Sequence, residues 1–165
     1  MTRIVTDRLI LRPVEDRDLE GLFAVLSHPV AMRYWSTEPH ADRTVTQASI
    51  DSMRVPTSAL NLDFIIEYRG VAVGKVGARR PPEFGYILHP DLWGQGLARE
   101  ATMAFIAHVT AVGLDRLTAD VDPRNAASIR LLQLMGFEET GRAENTFFIA
   151  QEWCHSIYFE RRLTR

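Results

Sequence analysis

Apolar and polar positions change their period several times along the chain, and each change marks an element. Arg8 to Val14 alternates as an extended segment that Pro13 stops. Asp16 to Leu26 places Leu19, Leu22, Phe23 and Leu26 at helical spacing behind acidic residues that suit the positive end of a helix. A second, less apolar helix is predicted from Thr44 to Met53, after an aromatic linker at Tyr34-Trp35 and before Pro56. Leu62 to Tyr68 and Val71 to Ala78 read as strands joined at Arg69-Gly70, where glycine's access to positive φ suits a hairpin. Pro81-Pro82 separates them from a third run, Phe84 to His89.

From Leu97 to Val112 the positions Leu97, Ala101, Ala104, Phe105, Val109 and Val112 keep helical spacing, while Met103, Ile106 and Ala107 widen the stripe, so this helix is expected to be largely buried. Leu117 to Val121 is a short strand ended by Pro123, and Ala126 to Met135 is an apolar helix closed by Gly136. The chain is extended from Phe137, with Phe147 to Ile149 and Ile157 to Arg161 as a closing strand pair. The order is β-α-α-β-β-β-α-β-α-β-β. A strand, crossover helix and strand set among hairpins predicts one parallel, right-handed connection inside a mostly antiparallel sheet, a mixed α/β (α+β) fold.

Composition narrows the function classes. A chain of 165 residues, 46% hydrophobic and without repeats or a long linker, is expected to form one domain over residues 1–165. A net charge of -2 with both signs interspersed leaves no electrostatic footprint for nucleic acid or an anionic membrane, so an anionic ligand must be held locally. Cys154 alone cannot close an internal disulfide and reads as a buried strand residue, and the opening MTRIVTDRLILRP lacks the apolar run of a signal peptide; a cytoplasmic location is expected. The five histidines show no ligand spacing, so no metal is expected, and the chain has no serine-hydrolase elbow and no GxxxxGK[ST] loop.

The chemistry lies in Ile87 to Glu100, which passes from a strand into the long helix. Gly94 and Gly96 precede a helix whose first amides have no internal partners, an anion site that needs no lysine. A tight turn would account for a lone Gly-x-Gly. Here Asn125 and Ser128, one helical turn apart at the start of the next helix, add an amide and a hydroxyl on one face, although Asn125 also reads as a plain N-cap.

Trp93-Gly94-Gln95-Gly96-Leu97-Ala98 resembles the acetyl-coenzyme A pyrophosphate loop of GNAT acetyltransferases, Q/R-x-x-G-x-G/A, with Trp93 replacing Gln/Arg as in the W-G-x-G-x-A loop of the RimJ/RimL-like branch. Asn125-Ala126-Ala127-Ser128, Leu131-Leu132 and Gly136-Phe137 resemble the N-x-x-S...L-x-x-x-G-F segment of that branch, and Arg8 to Pro13 its opening strand. The resemblance implies an N-acetyltransferase moving acetyl from acetyl-CoA, its co-substrate, to a primary amine on a protein N-terminus or a small molecule by direct attack. It also implies a possible homodimer through a sheet edge. A non-catalytic acyl-CoA sensor or scaffold is the alternative.

On that reading Trp93, Gly94, Gln95, Gly96, Leu97, Ala98, Asn125 and Ser128 hold the cofactor, and Ile87 and Leu88 offer backbone groups to its pantetheine arm. Ser128 is placed near the sulfur as a weak acid or a further cofactor ligand. Glu83 is the base, with Glu144 as rival, and Tyr34 and Trp35 face the acceptor.

Overall fold

The computed structural model describes residues 2–56, 60 and 62–164. The elements run β1 (Ile4–Val5), β2 (Leu9–Arg12), α1 (Leu19–Leu26), α2 (Arg43–Met53), β3 (Asp63–Tyr68), β4 (Val71–Arg80) and β5 (Glu83–Leu88). Then come α3 (Leu97–Ala111), β6 (Arg116–Val121), α4 (Ala126–Leu134), β7 (Glu138–Ile149) and β8 (Glu152–Arg162). The eight strands form a sheet in the order β1-β2-β3-β4-β5-β6-β8-β7. Every neighbouring pair is antiparallel except β5 and β6, which are parallel and meet at a single register pair, Glu83 with Thr118. The mixed α/β fold expected from the sequence is the fold observed.

Strand alternation distributes the core over both faces. Phe64, Ile66, Val76, Ala78, Phe84 and Leu88 pack on one side with Leu97, Ala101 and Phe105 of α3 and Leu132 of α4. Phe84 stacks on Phe105 at 5.6 Å and on Phe137 at 5.8 Å between ring centroids. Ile65, Ala72 and Ile87 point the other way, against Leu22, Val25 and Leu26 of α1 and Ile50 and Met53 of α2. Thus α3 and α4 cover one face, α1 and α2 the other.

Several boundaries differ from the periodicity. Asp16–Asp18 is a 3-10 turn leading into α1, and Asp42 caps α2 by accepting from the amides of Thr44 and Val45. Met103 in α3 and Val112 just after it are exposed, so the expected stripe overstated the helix's burial. The closing strand pair is far longer than Phe147 to Ile149 and Ile157 to Arg161, because β7 and β8 form one long hairpin. Its outer strand β7 pairs on one side only, and its residues are mostly exposed.

Among the described residues, Arg12 carries an extensive buried ionic network. Its guanidinium, 2% exposed, forks onto both carboxylate oxygens of Asp18 at 2.7 and 2.8 Å and donates to Glu67 at 2.6 Å. This bidentate geometry ties β2 and β3 to the entry of α1. The opening Arg-Leu-Ile-Leu-Arg-Pro segment therefore uses its second arginine for architecture.

Candidate functional site

Beyond the Glu83–Thr118 pair, β5 and β6 have no further register partners, and a slit opens between them toward their C-terminal ends. The backbone that borders this slit follows from strand alternation. His89 donates its amide to the Val73 carbonyl at 2.9 Å and Ile87 lies in register with Lys75, so Ile87, two residues back, also turns its amide and carbonyl toward β4. Tyr86 and Leu88 turn theirs toward the slit. The sequence paired Ile87 with Leu88 here; in the structure the Ile87 backbone belongs to the β4 ladder, and the backbone bordering the slit is that of Tyr86 and Leu88. Leu88 already uses its carbonyl to accept the Trp93 indole N–H at 2.9 Å.

At the top of the slit the chain turns through Gly94 (φ 75°) and Gly96 (φ 77°), both in the left-handed region. Gly96 is the N-cap of α3 and supplies no side-chain cap. A Cβ at Gly94 would meet nothing within 4 Å, and one at Gly96 would meet only Nη2 of Arg8, at 3.5 Å. Open space therefore lies above the loop. The amides of Leu97, Ala98 and Arg99 begin a 15-residue helix without internal partners, at the end where its dipole is positive. Buried Leu97 anchors the turn, and the Gln95 side chain donates to the Asp91 carbonyl at 3.3 Å. Arg8 fixes the loop from below, with Nη1 to the Gln95 carbonyl at 2.8 Å and Nε to Glu100 at 2.7 Å. These groups fit a pyrophosphate: backbone donors, a helix N-terminus and a bordering cation.

Across the slit, Asn125 is the N-cap of α4 and accepts the Ser128 amide at 3.2 Å. The Ser128 hydroxyl lies 3.1 Å from the Tyr86 hydroxyl, joining α4 to β5. Burial raises the Tyr86 pKa, with the Ser128 hydrogen bond opposing, so the phenol keeps its proton at neutral pH.

The opposite face, on the α1–α2 side, holds a cavity of about 420 Å³. The linker with Tyr34 and Trp35 forms one wall and the β7–β8 hairpin tip another. Gly77 and Gly85 stand opposite each other on its floor, on β4 and β5; a Cβ at Gly85 would meet nothing within 4 Å, whereas one at Gly77 would run into the backbone of Leu62 and Asp63. Glu83 and Asp120 border the cavity from β5 and β6, whereas Glu144 is exposed on β7 and does not line it. Asp120 is open to the cavity yet walled by enough protein that burial raises its pKa; the Ser156 hydroxyl opposes this and the Glu83 charge adds to it. Arg124 closes the rim by bonding Asp122 and Glu152 at 2.7 Å, with its guanidinium 5.6 Å from the Tyr34 ring centre.

Residues 8–138 match the family model described as "Acetyltransferase (GNAT) domain". The chain belongs to the GNAT acetyltransferase family. This GNAT chain is 35% identical over 150 residues to the uncharacterized N-acetyltransferase YoaA of Bacillus subtilis (strain 168), covering 82% of each. It is 29% identical over 154 residues to the spermidine N(1)-acetyltransferase of Escherichia coli (strain K12), covering 89% of this chain and 82% of that one. Its fold matches the ribosomal L7/L12 alpha-N-protein acetyltransferase RimL solved with coenzyme A, at TM-score 0.85, 17% identity and 98% coverage of both chains.

Four residues that border the slit, the loop or the cavity are not singled out as site residues by the sequence. Tyr86 shares a face with Phe84 and Leu88 and so resembles a core position; only its hydroxyl distinguishes it. Asp120 alternates with Ala119 and Val121, a period-two signal that set it on the polar face without saying what that face borders. Arg8 and Arg124 act through contacts distant in sequence, which spacing does not encode. Cys154, expected to be buried, is half-exposed on the cavity rim beside Arg124. Among the described residues no group of three or more His, Cys, Asp or Glu is placed to hold a metal, and no helix is long and apolar enough to cross a membrane.

Proposed function

We propose that this GNAT protein is a RimJ/RimL-like N-acetyltransferase, moving acetyl from acetyl-CoA to a primary amine by direct attack. One observation carries the reading: a phosphate-compatible loop and an acceptor-sized cavity lie on opposite faces of the sheet and border the same slit. When bound, acetyl-CoA supplies the activated thioester. The amides after Gly94 and Gly96 hold the pyrophosphate, Arg8 adds charge, and Tyr86 and Leu88 present backbone groups along the slit. Asn125 sets the start of α4 so that Ser128 and Tyr86 meet beside it.

In the cavity, Glu83 and Asp120 accept the ammonium and receive its proton directly or through water, freeing the amine's lone pair. The Tyr86 phenol, neutral and hydrogen-bonded to Ser128, holds a proton that can be donated to the departing thiolate. Tyr34 and Trp35 shape the acceptor's approach. The relatives' named substrates, spermidine and a ribosomal protein, support an amine acceptor.

Release of coenzyme A, measured with a panel of primary amines and paired with calorimetric titration of acetyl-CoA, tests the reading. Micromolar binding and amine-dependent release are expected. Tight binding without release for every amine would favour an acyl-CoA sensor, and absence of binding would dismiss both.

A further inference from the structure

Glycine inside a strand weakens it, because it packs nothing and loses more conformational freedom on folding than any other residue. A strand glycine therefore answers to its backbone, to a close neighbour or to a ligand. For Gly77 on β4 the neighbour is on the page. A Cβ there would stand 2.5 Å from the Leu62 carbonyl oxygen and 2.9 Å from the Asp63 Cα, so its close approach to β3 excludes any side chain. Gly85, its partner on β5, has no such reason. Its φ lies outside the left-handed region, and a Cβ on it would meet nothing within 4 Å. The fold would accept alanine here.

The place of Gly85 supplies the missing reason. Along β5, Glu83 and Gly85 line the cavity, while Phe84 and Tyr86 turn to the α3–α4 side. β5 and β6 are in register at Glu83 and Thr118, so Gly85, two residues on, stands where the slit opens. Its counterpart on β6, two residues beyond Thr118, is Asp120, which lines the same cavity. The residue after Gly85 is Tyr86, whose hydroxyl lies 3.1 Å from that of Ser128 on the donor side. One peptide unit thus separates open space on the cavity face from the phenol on the other.

Resting on the acetyl-transfer reading, we propose that Gly85 is a specificity-determining residue: the amine-bearing carbon of the acceptor packs on its Cα while the nitrogen enters the slit. A methyl group at Gly85 takes that carbon's place. It displaces the acceptor and spares acetyl-CoA, because the space lies on the cavity face, whereas the glycine loop and the Tyr86–Ser128 pair lie on the other.

The test compares wild type with Gly85→Ala and Gly85→Val. In scanning fluorimetry without ligand, Gly85→Ala is expected to melt about 1–4 °C above wild type, since its methyl clashes with nothing and restricts the unfolded chain. Calorimetric affinities for acetyl-CoA should stay within about threefold of wild type. Spermidine and seryl-alanine then serve as amine probes on protein saturated with coenzyme A, so that acceptor binding is read without turnover. The probe that binds wild type more tightly should bind Gly85→Ala at least about tenfold, and Gly85→Val at least about a hundredfold, more weakly. Should Gly85→Val fail to fold, Gly85→Ala decides. A lower melting temperature for Gly85→Ala would assign the glycine to the fold, and an equal loss of acetyl-CoA would assign it to the pantetheine path. Either outcome overturns the proposal, as does unchanged amine binding or failure of both probes to bind wild type. Coenzyme A release by wild type alongside unchanged amine binding in Gly85→Ala leaves acetyl transfer intact. Loss of amine binding in Gly85→Ala, with no release by wild type from acetyl-CoA and either probe, upholds the recognition mode and overturns acetyl transfer.

Discussion

At the scale of single residues, the loop and the slit make separable predictions. Gly96→Val introduces a β-branched side chain where φ is 77° and where the pyrophosphate would lie. Losing two or three amide contacts to phosphate, each about 1.5–3 kcal/mol, should weaken acetyl-CoA at least about a hundredfold in calorimetry. Unchanged affinity in the folded variant would place the cradle elsewhere. Tyr86→Phe removes the hydroxyl that meets Ser128 while leaving the ring in the core. Turnover should fall at least about tenfold with cofactor affinity altered less than about threefold, because an interaction with the thiolate grows only as the thioester breaks. Equal losses in both would make the hydroxyl a binding group.

Asp120 links pH to both activity and stability. Its raised pKa moves the acid limb of kcat/KM above the ordinary carboxylate range, and Asp120→Asn should lower kcat/KM about a hundredfold and remove that limb. A carboxyl whose folded pKa lies above its unfolded value contributes stability below the unfolded pKa and loses it as pH rises through the folded pKa. Asp120→Asn should therefore melt at the wild-type temperature near pH 3.5 and above it at pH 7, as differential scanning fluorimetry would show. A variant less stable than wild type at pH 7 would contradict an uncompensated charge.

At the scale of elements, periodicity located most helices and strands because each covers one face of the sheet with apolar residues. It missed β1, whose two residues are too few to show a period. It read the chain as extended from Phe137 but recognised only Phe147 to Ile149 as a paired strand, because an edge strand with neither face covered has no reason to alternate. The loop from Trp93 to Ala98 was legible because its chemistry is backbone chemistry, written in two glycines. The cavity was not, since its walls converge from the linker after α1, four strands and a distant hairpin. Arg12 shows the same limit: its place in the opening strand was plain, its partners Asp18 and Glu67 were not. Arg12→Met should destabilise by about 3–5 kcal/mol in urea unfolding, because two buried carboxylates lose their shared cation. A change under about 1 kcal/mol would mean the network is idle.

At the scale of the molecule, the sheet serves as a partition. The loop and the Tyr86–Ser128 pair stand on its α3–α4 side and the cavity on its α1–α2 side, and the slit between β5 and β6 is the passage between them. A donor in one compartment leaves the other's mouth open, so neither substrate needs to depart before its partner arrives. Initial-rate plots should then show lines that intersect, the mark of a ternary complex, where a chain using a covalent acetyl-enzyme would give parallel ones. Free coenzyme A should compete with acetyl-CoA alone, and the acetylated amine should leave through the door by which the amine came in.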